Sequence, residues 1–259
     1  MIKFFRKIRQ NLVMENKTGK PASPAGRYFK YAIGEIILVV IGILIALSIN
    51  NWNDARKNRN YEQEILYLIN QNLKNDSIAL SIELYKSRES NRLTGRLLEQ
   101  ISLGNYNDSI NNWLGKIISF ERFKSQSSAF EVLKSKGLDI ISDSELQLEL
   151  ISYYDESVNN VYVAHKDVEE SFKKDWEPII QKEFSDYRWR EYAIPNDSIA
   201  FFEKKSIISF LRFYKENRSS GEIYSEIALE KISKIRTLSK KQINAKILQK
   251  NKIQPNGNR

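Results

Sequence analysis

The stretch YAIGEIILVVIGILIALSI, residues 31–49, decides how this chain of 259 residues is organised. No polar side chain occurs from Ile36 to Leu47. Nineteen helical residues rise about 28 Å, which is close to the hydrocarbon thickness of a bilayer. Aromatic residues of the kind that mark membrane interfaces flank the stretch, namely Tyr28, Phe29, Tyr31 and Trp52. The pattern predicts a transmembrane helix over residues 31–49.

The charges beside this stretch predict its orientation. Residues 1–30 carry eight Lys or Arg residues, whereas Arg56, Lys57 and Arg59 follow the stretch closely. The side richer in Lys and Arg stays in the cytoplasm, so we expect a cytoplasmic arm and a C-terminal domain outside the cytoplasm. A cleaved signal peptide is the alternative, because Ala46-Leu47-Ser48 resembles a cleavage site. The long arm and the long apolar run favour an uncleaved anchor.

The formal charge of +9 lies mainly in the two ends of the chain. Residues 231–259 contain nine basic residues and no acidic residue. A pI of about 9.4 often accompanies nucleic-acid binding. The expected topology, however, places the basic C-terminal tail outside the cytoplasm. We therefore expect no nucleic-acid partner.

The residues that usually carry chemistry are scarce. The absence of cysteine excludes disulfides, thiolate metal sites and Cys nucleophiles. The single histidine, His165, has Glu169 four residues later, and the two supply at most half a zinc site. Neither a G-x-S-x-G elbow nor a Gly-rich phosphate loop occurs. We expect no catalytic residue, no metal and no cofactor, and we expect His165 to be a solvated helix residue paired with a neighbouring acid.

Three residues of the predicted span share one helix face: Glu35, Gly42 and Ala46. Gly42 and Ala46 form a small-xxx-small pair, which lets two helix backbones approach closely. One interpretation is a helix–helix interface with a buried carboxyl group. The other places Glu35 near the cytoplasmic headgroups, paired with Lys30 or Arg27.

Several segments resemble one family. They are FFRKIRQ (4–10), ENKTGKP (15–21), RYFKYAIGEIILVVIGILIALSINNWND (27–54) and, more weakly, SAFEVLKSKGLDIISDSEL (128–146) followed by Tyr153-Tyr154. Together they resemble an uncharacterised family of single-span membrane proteins of Gram-negative bacteria. The resemblance implies the topology and a helical outer domain. It implies no activity and no catalytic residues.

Beyond the span, apolar residues recur at helical spacing, and no segment shows sustained alternation with a period of two. We expect the first outer helix to be capped by Asn53-Asp54 and to run unbroken to about Ile101 or to restart at Asp76-Ser77. The predicted fold class is all-α: one transmembrane helix followed by an antiparallel helical bundle outside the cytoplasm. The predicted domains are a basic arm (1–30), the span (31–49), the bundle (50–250) and a disordered tail (251–259).

Ser residues followed three positions later by Glu predict the starts of three later helices. These capping boxes are Ser128 with Glu131, Ser142 with Glu145, and Ser219 with Glu222. Another helix is expected to start at Asp197 or Ser198, and Gly137 is expected to be a left-handed cap. The patterned segment 128–146 is interpreted as a helix–helix corner or as a ligand pocket.

The stretch SDYRWREYAIP, residues 185–195, is expected to be a loop rich in aromatic and Arg residues: Tyr187, Arg188, Trp189, Arg190 and Tyr192. Such residues are enriched in partner-binding surfaces and at membrane interfaces, and packing at a bundle end is a third interpretation. In the expected path, two short helices turn the chain at the far end of the bundle. The long helix from Ser142 then returns and brings this loop back to the membrane.

Two classes of function follow from these patterns. The first is a membrane-anchored interaction or sensor-like module that acts through partner proteins. The alternative is a membrane-anchored enzyme with an unrecognised site, which the scarcity of catalytic motifs does not favour. The expected location is the bacterial inner membrane, with a cytoplasmic N-terminus and a periplasmic C-terminal domain. The expected partners are the lipid bilayer, a protein in or near the membrane, and a second copy of the chain.

Overall fold

The structure is a computed structural model that describes residues 24–107 and 109–253, with side chains described over 32–107 and 109–243. The chain divides into a first unit, Met1–Asn58, and a second unit, Arg59–Arg259. Residues 1–23 and 254–259 lie outside the described ranges. The predictions for the basic arm and for the end of the tail therefore stay predictions.

Helix α1 is a single unbroken helix of 79 residues, Pro24–Ser102. Among the described residues, it is the one helix long and apolar enough to cross a membrane, with a mean hydropathy of 2.8 over its most apolar window and none of that window buried. The predicted apolar helix is confirmed to this extent. The predicted cap at Asn53-Asp54 is wrong, because Asp54 instead accepts a side-chain hydrogen bond from Asn50 within the continuing helix (3.2 Å).

The rest of the second unit is mainly helical, as the predicted fold class requires. Its α-helices are α2 (Ser109–Ile117), α3 (Ser128–Lys136), α4 (Ser144–Ile151), α5 (Val158–Ser171), α6 (Glu177–Glu183), α7 (Ser198–Phe202) and α8 (Lys205–Ile253). The segments Ser152–Ser157 and Phe172–Trp176 are π-helical turns that join α4, α5 and α6 into one long helical run. Strands β1 (Phe184–Arg188) and β2 (Tyr192–Pro195) were not predicted.

Side-chain contacts show that the chain from the end of α2 to Ser142 runs back along α1. Ser90 of α1 donates a hydrogen bond to the carbonyl oxygen of Lys116 (3.0 Å). Further down α1, Asp76 accepts from the backbone N–H of Gln126 (2.8 Å), and Glu62 accepts from Ser142 (2.8 Å). Residue numbers fall on α1 as they rise on this segment, so the two run in opposite directions.

We call the end of the second unit that contains Arg59 and Glu62 the Arg59 end. Helices α4 to α6 lead away from this end. Tyr153, beyond α4, donates to the same Asp76 (2.8 Å) that holds the preceding segment. Helix α8 returns, since Asn217 lies beside Ser171 (3.2 Å) and Gln242 beside Asp143 (3.0 Å).

The expected path is therefore wrong within the second unit. Two short helices were expected to turn the chain at the far end, but they and the connection between them extend back to the Arg59 end. The long helical run consequently places the 184–195 segment at the opposite end. The cause is the extended connection before α3, which the buried carboxylate of Asp76 holds against α1 through Gln126.

The second unit has two hydrophobic cores. The first core surrounds Leu73, Phe130, Tyr153 and Ile232, and the second surrounds Leu97, Leu114, Trp176 and Phe202. Between the two cores, α1, α5 and α8 contribute buried polar residues, namely Ser87, Asn91, His165, Arg218 and Ser225. A buried polar layer thus separates the cores.

Two of the three starts predicted from capping boxes differ in the structure. Helix α3 does begin at Ser128, as predicted, although the residue before it makes no side-chain capping bond, whereas Ser219 lies inside α8. Asp143, rather than Ser142, caps α4 by accepting from the backbone N–H of Leu146 (3.0 Å). Ser142 instead uses its backbone N–H and hydroxyl to bind Glu62. The predicted helix start at Asp197 or Ser198 is confirmed, because Asp197 caps α7, but this helix is short and α8 begins separately at Lys205.

The segment 128–146 forms a corner in the first core. Phe130, Leu133, Ile141 and Leu146 are all buried there. Gly137 has the expected positive φ (110°). Its ψ of 129°, however, lies outside the left-handed helical region that a cap of this kind requires. A side chain at this position would be strained and would collide with Asp139.

Candidate interaction surface

The segment that was expected to be a loop is a β-hairpin. Strands β1 and β2 pair antiparallel, with Arg188 opposite Tyr192, and a three-residue connection joins them. Arg190, in this connection, has φ of 60°, a conformation that costs a residue with a Cβ atom about 1–2 kcal/mol. Its guanidinium turns inward, where Nη1 donates to the carbonyl oxygen of Phe120 (3.4 Å) and lies 3.5 Å from Glu121.

The hairpin packs against α2 at a position where a glycine is required. A Cβ atom on Gly115 would lie 2.5 Å from the backbone of Tyr192. Ala193 of β2 is fully buried in the second core. Tyr187 of β1 packs against the same core, and burial raises the pKa of its hydroxyl to about 12. These contacts fix the position of the connection that carries Trp189.

Trp189 presents a large aromatic surface that is 40% exposed. Its ring packs edge-on against Phe120 (centroids 4.7 Å apart) and Phe172 (5.2 Å). A surface depression lies beside it. We call the residues that line this depression the Trp189 surface: Glu83, Lys86, Phe120, Arg122, Trp189 and Arg190.

Charged pairs surround the aromatic centre of this surface. Lys86 pairs with Glu83 (2.7 Å). Arg122 lies over the ring of Phe120 (4.8 Å) and binds Glu169 through two hydrogen bonds (2.9 and 2.7 Å). Hydrogen bonds lower the pKa of Glu169 to about 2. Arg122 makes the larger contribution, and Lys173 makes the next largest. The result is an aromatic centre with a polar rim of both signs, as in protein–protein interfaces.

A buried ion pair supports the Trp189 surface from below. Arg218 of α8 lies 3.1 Å from Glu121, and both side chains are only 1% exposed. Arg218 also donates to the backbone carbonyl oxygens of Ile117 (3.2 Å) and Ser119. Tyr214 donates to the same Ser119 oxygen (2.6 Å). These bonds fix the extended chain that carries Phe120 and Arg122.

The structure places His165 in the buried polar layer, so its expected solvation is wrong. It is 6% exposed and packs against Gly221, where a Cβ atom would lie 3.1 Å from its ring. Glu169, the acidic residue four positions later, binds Arg122 and Lys173. Burial lowers the pKa of His165, and the nearby Glu121 opposes that shift. Within the described ranges, no three His, Cys, Asp or Glu residues are grouped so that they hold a metal ion.

The five hairpin residues singled out from sequence have different positions. Trp189 and Arg190 line the surface, whereas Tyr187 faces the second core. Arg188 is exposed beside Glu191 (3.3 Å), and Tyr192 donates to Asp186 (2.8 Å).

The residues that other elements contribute to this surface and its support were not predicted: Glu83, Lys86, Phe120, Glu121, Arg122, Phe172 and Arg218. They come from four separate stretches of the chain and share no local pattern. The only local signal was the sequence Phe120-Glu121-Arg122, where an aromatic residue precedes two opposite charges.

In the first unit, Glu35, Gly42 and Ala46 lie on the exposed surface of α1. A Cβ atom on Gly42 would meet no other atom within 4 Å. Space for a neighbouring helix therefore exists at this face, and the helix–helix interface stays a prediction.

Comparisons with known proteins give one match. Residues 35–154 match the model of a family of unknown function (DUF6090), which confirms the expected resemblance to an uncharacterised family. The match runs from the apolar segment to Tyr154 and excludes the hairpin. Comparisons with curated proteins and with solved structures found no match.

Proposed function

We propose that this chain is a membrane-anchored interaction module that acts through a protein partner. The N-terminal arm lies in the cytoplasm, α1 crosses the bacterial inner membrane, and the second unit is an antiparallel bundle in the periplasm. The partner binds at the Trp189 surface.

The exposed, immobilised indole of Trp189 carries this proposal. Trp and Arg are the residues most enriched at interface hot spots. Trp189 is held by Phe120 and Phe172, so little side-chain entropy is lost when a partner covers it. Arg122 and Arg190 lie beside it with their positions already fixed by Glu169 and Glu121.

The proposed anchor rests on the apolar segment of α1 and on the distribution of charge. The window of highest hydropathy has none of its residues buried in the protein, which is the arrangement expected of a helix that faces lipid. Eight basic residues precede the segment, which supports a cytoplasmic N-terminus.

Site-specific photo-crosslinking in intact membranes tests the partner surface. A photoreactive residue replaces Arg188, an exposed neighbour of Trp189. The matched control replaces Leu148 on α4, which is 67% exposed. We expect a discrete protein adduct from position 188 that Trp189→Ala removes, and none from position 148. Equal adducts from both positions, or an adduct at 188 that survives Trp189→Ala, would contradict the proposal.

A further inference from the structure

We infer that the Arg59 end of the second unit carries a basic surface that docks on anionic lipid headgroups. This inference rests on the proposed membrane anchoring but not on the Trp189 surface, which lies at the other end of the unit. It concerns the charged C-terminal part of α8, which the proposed protein partner does not involve.

Two contacts bring the C-terminal part of α8 to the Arg59 end. Gln242 of α8 donates to Asp143 (3.0 Å). The residue before it, Ser142, binds Glu62 of α1 (2.8 Å). The side chains that flank Gln242 therefore lie close to the first turns of α1 in this unit.

Exposed cations collect at this end. Lys240 and Lys241 directly precede Gln242, and both are exposed. Lys136, also exposed, lies 4.2 Å above the ring of Tyr61. Arg59 is the first residue of the unit and is exposed as well.

The carboxylates at this end balance the four described cations, because Glu62 is buried there beside Ser142 and three further acidic residues lie nearby. The excess of positive charge comes from the continuation of α8. Asp143 is held by Leu146 and Gln242, and those two hydrogen bonds are the main cause of its lowered pKa. Glu64 and Asp139 are exposed in the same region. Lys231 and Lys234, which come earlier in α8, pair with Glu149 and Glu145 of α4.

The sequence continues the same charge beyond the described side chains. Helix α8 extends to Ile253, and residues 244–259 add only basic charges: Lys246, Lys250, Lys252 and Arg259. No acidic residue follows Glu230. A helix end of this kind is attracted to any anionic surface within reach.

The bilayer is the anionic surface that the chain always has within reach. Only residues 50–58 separate the apolar run from Arg59, so even an extended chain would keep the two within about 35 Å. A lysine near anionic lipid is favoured by about 1 kcal/mol, which is roughly a fivefold change in the docked-to-undocked ratio.

Energy transfer to the lipid headgroups tests this docking in the full chain. The chain has no cysteine, so Thr237→Cys, at an exposed position of α8, provides a single site for a donor dye. The protein is inserted into nanodiscs that carry acceptor-labelled headgroups, made either of neutral lipid alone or with anionic lipid added. The test variant is Lys240→Gln with Lys241→Gln. The matched control, Lys205→Gln with Lys215→Gln, removes the same charge from exposed positions of the other part of α8.

We expect anionic lipid to increase the transfer, and roughly 1 M salt to abolish that increase through screening. The Lys240/Lys241 variant should lower the docked-to-undocked ratio about 25-fold, whereas the Lys205/Lys215 variant should leave it near the wild-type value. Equal transfer in neutral and anionic discs, or an equal loss in both variants, would overturn the inference. A chain that fails to enter the discs would instead contradict the proposed anchor.

Discussion

At the scale of the residue, the buried pair of Glu121 and Arg218 stabilises the Trp189 surface. Replacing Arg218 with Met removes the closer partner of the buried Glu121 carboxylate and leaves only the contact with Arg190 at 3.5 Å. Breaking such a pair costs about 3–5 kcal/mol, so we expect Arg218→Met to lower the free energy of unfolding by about that amount. Denaturant unfolding of the full chain in detergent measures the change.

Two controls separate this effect from a general loss of charge. Adding Glu121→Leu to Arg218→Met should restore most of the lost stability, because no buried charge then remains unpaired. Arg88→Met breaks an exposed pair with Glu226 and should cost less than about 1 kcal/mol. Equal losses for Arg218→Met and Arg88→Met would show that the buried pair has no special role.

His165 should make the stability of the second unit depend on pH. Burial lowers its pKa from 6.5, so the fold favours the neutral imidazole. The unfolded chain therefore binds a proton first as the pH falls through about 6.5, and the free energy of unfolding declines from there down to the folded pKa. We expect His165→Gln to remove this part of the decline.

The melting temperatures of the wild type and His165→Gln at about pH 7.5 and pH 5.5 provide the measurement. Glu222 acts in the opposite sense, since burial raises its pKa, but it is present in both proteins and cancels in the comparison. Glu121, Glu83 and Arg218 also act on His165 and are likewise unchanged. Identical shifts of melting temperature with pH would rule out His165 as the cause.

At the scale of the element, the hairpin depends on a glycine of α2. Gly115→Ala would place a Cβ atom 2.5 Å from the backbone of Tyr192, so the hairpin must move. We expect faster hydrogen exchange in residues 184–195 and a weaker crosslink from position 188. Gly95→Ala is the matched control, because no atom lies within 4 Å of the added Cβ and the change should stabilise α1 by about 0.5–1 kcal/mol. Unchanged exchange in the hairpin of Gly115→Ala would contradict the packing described.

The long helices were predictable because their apolar periodicity is strong, but several of their ends were not. Ser142 and Ser219 both match a capping pattern, yet Ser142 binds Glu62 eighty residues earlier and Ser219 lies within α8. Tertiary contacts decide between such alternatives, and a local pattern does not contain them. The predicted direction of the chain after α2 was wrong for the same reason, because it depends on the contact between Asp76 and Gln126.

The hairpin was missed because its turn lacks the usual signal. Turns with a positive φ normally contain Gly or Asn, but here Arg190 takes that conformation. The sequence did indicate Trp189 and Arg190 as surface residues. It gave no indication that Phe120 and Arg122, about seventy positions earlier, lie beside them, because that proximity arises only when the hairpin packs against α2.

At the scale of the whole molecule, the proposed topology predicts different access to the two ends of the chain. Single cysteines at Gln10 and at Ile199, which is exposed on α7, would react with a membrane-impermeant maleimide on opposite sides. In spheroplasts we expect labelling of Ile199→Cys, and labelling of Gln10→Cys only after the membrane is permeabilised. The reverse pattern would invert the orientation proposed from the Lys and Arg residues.

The mass of the complex extracted from membranes tests the central claim most directly. The chain alone has a mass of 30.3 kDa. After mild crosslinking, we predict that the wild type runs in a heavier complex and that Trp189→Ala runs without the partner. Tyr162→Ala, which removes another exposed aromatic ring, should leave the complex intact. A wild-type chain at its own mass, or a complex that Trp189→Ala leaves unchanged, would contradict a partner at the Trp189 surface.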